Sequence, residues 1–367
     1  MRHRGKQQSV GPRYGRHDQP SAKVRASVHG LLIIPDRSMP LLLSHRAQRF
    51  LADRSTRRPL VLLLLFAMLL SGCATEWSSG MWLRGENSAS PAGLKDETVS
   101  GRSPVSAADA ALLERLRTAD YVLLGELHDH PEQHRMRLGW LKTLAEEAPI
   151  ALVLEHFDID AQDRLNAARA SLQRGDRPLA EQARALAQAA GFRFDGWDWA
   201  LIGPVVEFAI EKNVPLIAGN LSSRETFAIV RGQPHPMDKP APAGWTTQAE
   251  NTLGNMIREG HCNLLPEAMI RPMMRAQRAR DAQMAAALMA ARTVGRKPVL
   301  LAGNGHVRRD VGVPVYLAAM EPKAIVIAVG LLEAGAESDA KVFDAVRVTP
   351  NLERPDQCEE LRKRFAR

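Results

Sequence analysis

The sequence predicts an α/β fold: a mostly parallel β-sheet flanked by helices, with a smaller helical subdomain. Three observations predict it. From about residue 106, short apolar runs alternate with longer helical patterns, at 121–124, 150–154, 215–218, 299–302 and 324–329, as expected of successive βα units. The runs are continuously apolar, which suits strands buried on both faces. Glycine follows three of them, Gly125, Gly219 and Gly303, where a chain leaving a sheet must turn sharply or approach a ligand closely.

The 367 residues, 45% of them hydrophobic, suffice for a sizeable core. The net charge of +8 is unevenly placed. Of 49 Lys and Arg, 13 precede Cys73, against 3 of the 41 Asp and Glu, so 36 basic and 38 acidic residues remain from Cys73 onward. A basic surface would suggest nucleic acid or an anionic membrane as partner. A chain close to neutral beyond Cys73 removes the case for a nucleic-acid-binding domain.

The elements follow in order. Residues 1–72 read as a basic leader and lipoprotein signal peptide. The apolar run 60–70 follows Arg57-Arg58-Pro59 and matches a signal h-region of roughly 7–15 residues. It falls short of the roughly 20 that a membrane-spanning helix needs. Leu70-Ser71-Gly72-Cys73 matches the bacterial lipobox at every position. Cleavage before Cys73 leaves a residue carrying several acyl chains, a stable membrane anchor. Ala74, not Asp, comes next, a pattern of outer-membrane lipoproteins facing the periplasm. The stretch ahead of the h-region is too long for a normal n-region, so initiation is expected later, at Met39 or near Arg57. Residues 73–105 have no repeating period and suit a tether.

The α/β domain is expected over 106–350, with helical insertions at about 158–191 and 246–293. The second insertion holds Met256, Met269, Met273, Met274, Met284 and Met289. They are expected to fill a helical core, or else to offer a soft apolar surface to a flat cofactor. Pro, Gly and His crowd into 232–244, an ordered loop or boundary. The segment 351–367 ends the chain. With Cys73 lipidated, Cys262 and Cys358 remain in an exported chain, and a disulfide between them is expected.

In a parallel sheet, ligands bind beyond the carboxyl ends of the strands. After the first strand come Gly125-Glu126-Leu127-His128-Asp129-His130-Pro131 and His134. After the second come Glu155-His156, after the third Asn220, and after the fourth Gly303-Asn304-Gly305-His306. Glu126 and His128, two apart, face the same side of an extended chain. Pro131 suits the first position of a helix capped by Asp129 or His130, with His134 one turn on. Carboxylate plus imidazole can bind a metal, run acid–base chemistry or ligate haem iron. Glu126, His128, Glu155 and His306 lead the site; His130, His134, His261 and Asn304 are secondary, and His156 reads equally as a site residue or as a hydrogen-bonded structural histidine. His235 reads as a loop residue.

Two copies of Gly-x-x-His, in Gly125-Glu126-Leu127-His128 and Gly303-Asn304-Gly305-His306, stand with Glu155 and Gly260-His261-Cys262-Asn263-Leu264-Leu265-Pro266. Ala276-Gln277-Arg278-Ala279-Arg280-Asp281-Ala282-Gln283 follows. Over roughly 108–348 this resembles the ChaN family of haem-binding lipoproteins, of the Tiki superfamily. The resemblance implies haem held in a pocket or between two subunits, a role in iron acquisition, and Tyr or His on the iron, with Tyr316 the better placed of the tyrosines beyond Cys73 and Tyr121 the other. It implies as an alternative a metal-dependent hydrolase, protease or esterase. There Glu126, His128 and His306 would hold zinc or manganese and Glu155 would activate water. A third reading makes the edge a docking surface for a haem receptor.

Overall fold

The computed structural model describes residues 107–172 and 177–365. The leader, the lipobox with Cys73 and the tether lie outside the described residues. Among those described, no helix is long and apolar enough to cross a membrane.

Six strands form one sheet: β1 (Tyr121–Leu124), β2 (Ile150–Asp158), β3 (Leu216–Asn220), β4 (Lys297–Leu301), β5 (Val326–Glu333) and β6 (Ala345–Thr349). Their spatial order is β3-β2-β4-β1-β5-β6, and every pair is parallel. The α/β expectation therefore holds. Four of the five expected strands are one to four residues longer or shifted. β2 matters most, because it runs past Leu154 and carries Glu155 and His156 inside the strand. β6 had no counterpart in the sequence reading: it is an edge strand with only Thr349 fully buried, so it lacks the continuous apolar run that marks a central strand.

Alternate side chains of each strand enter different cores. Val122 and Leu124 face α1 (Ala107–Thr118), α2 (Pro131–Glu147), α3 (Gln162–Ala170), α4 (Leu179–Ala190) and α5 (Trp199–Glu211). Tyr121 and Leu123 face the opposite way, with Met284 and Leu288 of a long helix and Val313 and Leu317 of a short one. In chain order the helices after α5 are α6 (Ser223–Val230), α7 (Thr247–Gly260), α8 (Glu267–Thr293), α9 (Asn304–Val307), α10 (Val313–Met320) and α11 (Gln357–Phe365). Thus β1 leads into a helix on one face, while its neighbour β4 leads into a helix on the other. The crevice between adjacent strands whose connections part in this way is where a doubly wound sheet binds ligands.

The helix signals are local. Pro131 takes the first position of α2, Ser222 and Glu225 form a reciprocal capping box on α6, and Thr246 caps α7. Between α7 and the first half of α8 a separate small core gathers Leu253, Ile257, Ile270, Met273, Met274 and Val311, with Met256 and Met269 against it. Most of the methionines accordingly act as fillers, and Met284 serves the sheet core. The Cys262–Cys358 disulfide is formed, with Cα atoms 5.5 Å apart, and joins α11 to the turn after α7.

Candidate functional site

A cavity of about 500 Å3 opens at the carboxyl edge of the sheet. Its floor carries Glu126, His128, Glu155, Arg280 and His306; Leu253, Met256, Ile257 and Leu361 make an apolar wall, with His261 and the disulfide at its rim.

Glu126 is the hub of one half. It is 1% exposed, and its Oε1 accepts from His128 Nδ1 at 2.7 Å and from His156 Nε2 at 3.1 Å. Its Oε2 contacts the guanidinium of Arg137, itself fully buried on α2. Arg137 also donates to His134 Nδ1, and His134 Nε2–H then donates to the His128 carbonyl at 3.1 Å. The indole of Trp197 packs edge-on against both His128 and His156, with ring centroids 4.9 and 4.5 Å away. Burial lowers His128 against the pull of Glu155, and lowers His156 well below the ordinary histidine value. His128 is therefore neutral. With Nδ1–H on Glu126, its Nε2 carries the lone pair.

Glu155 and His306 make the other half. Glu155 Oε1 accepts from Arg280 at 2.8 Å and lies 3.3 Å from His306 Nε2, while its Oε2 accepts from the Gly303 N–H at 2.7 Å. Asp281, from α8, holds His306 Nδ1 at 2.6 Å. Burial works to lower His306, but the carboxylates of Glu155 and Asp281 outweigh it and hold the imidazole up to about 9. Burial likewise opposes the charge on Glu155, yet the cationic His306 and Arg280 bring it well below the usual range. A carboxylate held so low is a weak base, so Glu155 serves as an anchor for its cationic neighbours. The two imidazoles of the floor thus differ: His128 neutral, His306 cationic.

Gly303 allows the halves to meet. A methyl group there would lie 2.8 Å from His128 Nε2 and 3.7 Å from Glu155 Oε2. Gly303→Ala should therefore push His128 off Glu126 and cost about 1–3 kcal/mol, read as a lower denaturation midpoint together with a changed His128 imidazole 15N shift.

The other expected residues have places too. Asn304 bonds both Leu331 backbone groups and fixes the loop to β5. His130 Nε2 donates to the Pro350 carbonyl, tying the first loop to the C-terminal segment. His261 donates from Nδ1 to the Ile257 carbonyl and lines the cavity. Tyr316 is buried in the sheet core near Asp281, its phenol pushed far up by burial, and Tyr121 lies at the amino end of β1 beside Arg292; neither lines the cavity. Asp281, Arg280, Gln277 and Arg137 were not picked out as site residues. Gln277, Arg280 and Asp281 stand at i, i+3 and i+4, one face of a helix, which is the signal that could have found them. Nothing local marks Trp197.

The buried histidines predict an acid-sensitive fold. Burial lowers His134 to about 4, so it is neutral when folded and protonates near 6.5 when unfolded. Its contribution is present above pH 6.5 and is lost as the pH falls to about 4, a loss of about 3 kcal/mol. His156 adds to it in the same direction. Urea titrations across that range should show it, and a flat stability would contradict it.

A doubly wound sheet with an acid–imidazole floor and an apolar wall at its switch point defines the class: a binding or catalytic protein of the α/β kind with its site between β1 and β4. The family is shown by a family model, haem-binding uptake, Tiki superfamily, ChaN, which matches residues 112–317; the chain belongs to that family. Among solved structures, ChaN of Campylobacter jejuni with cofacial haem is similar at 21% identity and TM-score 0.52, over 60% of this chain and 85% of that one. An erythromycin esterase in its open conformation follows at 15% and TM-score 0.37, over 62% and 74%. The MARTX toxin effector domain RRSP of Vibrio vulnificus follows at 14% and 0.36, over 65% and 39%. No curated protein matches.

Proposed function

We propose that this protein binds haem in the carboxyl-edge cavity, as a lipid-anchored component of haem and iron uptake in a bacterial envelope. The observation that carries the reading is the make-up of the cavity. Apolar Leu253, Met256, Ile257 and Leu361 stand on one side, and a neutral imidazole with its Nδ1–H already engaged stands on the other. That division suits a cofactor with apolar faces and a metal at its centre. The residues fit haem in kind: His128 would offer Nε2, its basicity raised by the Glu126 carboxylate behind Nδ1, as a carboxylate does for a metal-bound histidine. Haem would supply an iron that takes an axial nitrogen. His306, as an imidazolium held between Glu155 and Asp281, has no lone pair to give. Titrating the chain with haemin and following the Soret band tests this.

The anchor has its own test. Radiolabelled palmitate should enter the chain and be lost in Cys73→Ala, with the label in the outer-membrane fraction; label that survives the substitution contradicts the lipobox reading. A homodimer or a haem receptor is the partner this function calls for.

One observation favours a hydrolase as the second reading. His128 and His306 flank Glu155 with their proton affinities pushed in opposite directions, the arrangement of a base and an acid at neutral pH. A divalent metal fits less well. Glu126, His128 and His156 offer ligand atoms within 4.8 Å of one another, and these are the types that zinc takes. The same Glu126, however, already accepts from both rings and touches the Arg137 guanidinium, which repels a cation. Hydrolysis of ester substrates that disappears in both His128→Ala and His306→Ala, without haemin binding, would favour the second reading.

A further inference from the structure

Helix α11 is held over the cavity in an unusual way. Gln357, Cys358 and Leu361 form one side of the mouth, opposite Glu259, Gly260, His261 and Cys262 at the end of α7. The nine residues of α11 are too few to persist alone in water. The Asp356 carboxylate caps its start, accepting from the Cys358 and Glu359 N–H groups. Leu361 is the one described side chain of α11 that is fully buried. Among the described side chains of α11, buried Leu361 and the covalent link of Cys358 to Cys262 tie this helix to the body.

The chain just before α11 is tied independently. The Pro350 carbonyl accepts from His130, the Leu352 N–H donates to Glu333, and Arg354 bonds Asp129 and Glu333 together. A free α11 would therefore swing about Pro355 and Asp356 while the segment up to Arg354 stays in place. On the other side of the link, Cys262 and Asn263 have φ of 56° and 57°, left-handed values that a non-glycine residue keeps only when its surroundings impose them. Breaking the link lets this turn relax too, and with it Gly260 and His261 at the rim. Both sulfurs belong to partly exposed residues at the cavity mouth, within reach of an attacking thiolate.

We propose that the Cys262–Cys358 disulfide is a redox latch on the cavity: oxidised, it holds α11 closed, and thiol–disulfide exchange with a dithiol protein opens it for loading and release of the ligand. In the exchange one thiolate of the dithiol attacks a sulfur of the pair, forming a mixed disulfide and expelling the other cysteine as thiolate. The second thiol of the dithiol then resolves the mixed disulfide. The dithiol loses two electrons and two protons and becomes a disulfide, and Cys262 and Cys358 gain them as two thiols. The latch regulates the cavity assigned above to haem, so its ligand arm rests on that reading.

Two measurements on the full chain separate the two. In the first, amide hydrogen exchange is followed without ligand for the oxidised chain, the chain reduced by a dithiol, and the Cys262→Ser/Cys358→Ser double variant. Faster exchange in α11 and in 303–306 after reduction and in the variant, with β1 and β4 unchanged, supports the latch. Equal exchange overturns it whether or not haem binds. In the second, haemin-loaded oxidised chain and haemin-loaded double variant are mixed with excess apomyoglobin. Release about tenfold faster from the variant is expected, and equal release rates from two species with the same Soret band overturn the latch while leaving haem binding intact. The serine variant has no thiols, which removes any effect of reductant on the iron.

Discussion

Glu126→Leu should destabilise the folded chain by about 3–5 kcal/mol, the cost of leaving a buried charge without its partner. Glu126 accepts from His128 and His156 and touches Arg137, so its loss strands a guanidinium with no exposure to water. The strength of the effect comes from Arg137. Burial has already brought its proton affinity down to about 9 against the pull of Glu155, its Nε and Nη1 have no hydrogen-bond partner, and Glu126 is the carboxylate in direct contact with it. A double substitution, Glu126→Leu with Arg137→Leu, removes both charges and should recover much of the loss. Denaturant titrations of the two variants check the pair. A single variant within about 1 kcal/mol of the parent would show that Arg137 is solvated or paired elsewhere.

The second large effect concerns binding. His128→Ala should weaken haemin by at least about a hundredfold, because it removes the nitrogen offered to the iron together with its carboxylate support. His306→Gln should behave differently: the Soret position is kept, while affinity falls by about tenfold or less, because only a charge on the floor is lost. The contrast follows from how the two rings are held. His128 has one carboxylate on Nδ1 and keeps a lone pair on Nε2, whereas His306 lies between Asp281 and Glu155 and keeps a proton on both nitrogens. If both substitutions abolish the Soret shift equally, the assignment of distinct roles is wrong.

Much of this was legible in the sequence because the fold signal is local. Continuous apolar runs mark the central strands, and the residues just beyond them, Glu126, His128, Glu155 and His306, were placed at one edge by topology alone. The partners of those residues were less legible. Asp281 and Arg280 reach the floor from the middle of a 27-residue helix, more than 120 residues from Glu155 and 25 from His306, and only packing of α8 on the sheet makes them neighbours. Arg137 looks in the sequence like an exposed helical arginine until α2 is laid on the sheet. His156 was expected to be an ordinary histidine as often as a site residue, and the extension of β2 by four residues puts it on Glu126. The disulfide was legible from chemistry on the lipobox reading, which takes Cys73 and leaves Cys262 and Cys358 to pair. That it lies at the mouth of the cavity required the fold.

The chain's total charge proved uninformative about the site. Glu126 is set against Arg137, and Glu155 and Asp281 against Arg280 and His306, so the floor is built from internally compensated ions. Their proton affinities, and not the overall charge, decide which imidazole can ligate.

The most direct measurement is a haemin titration of the full chain, parent and His128→Ala side by side, with metal content determined on the same samples. The account predicts a saturable Soret shift in the parent, greatly weakened in the variant, and no stoichiometric divalent metal. A parent that shows no Soret shift while carrying one zinc or manganese per chain would contradict it and leave the hydrolase in its place.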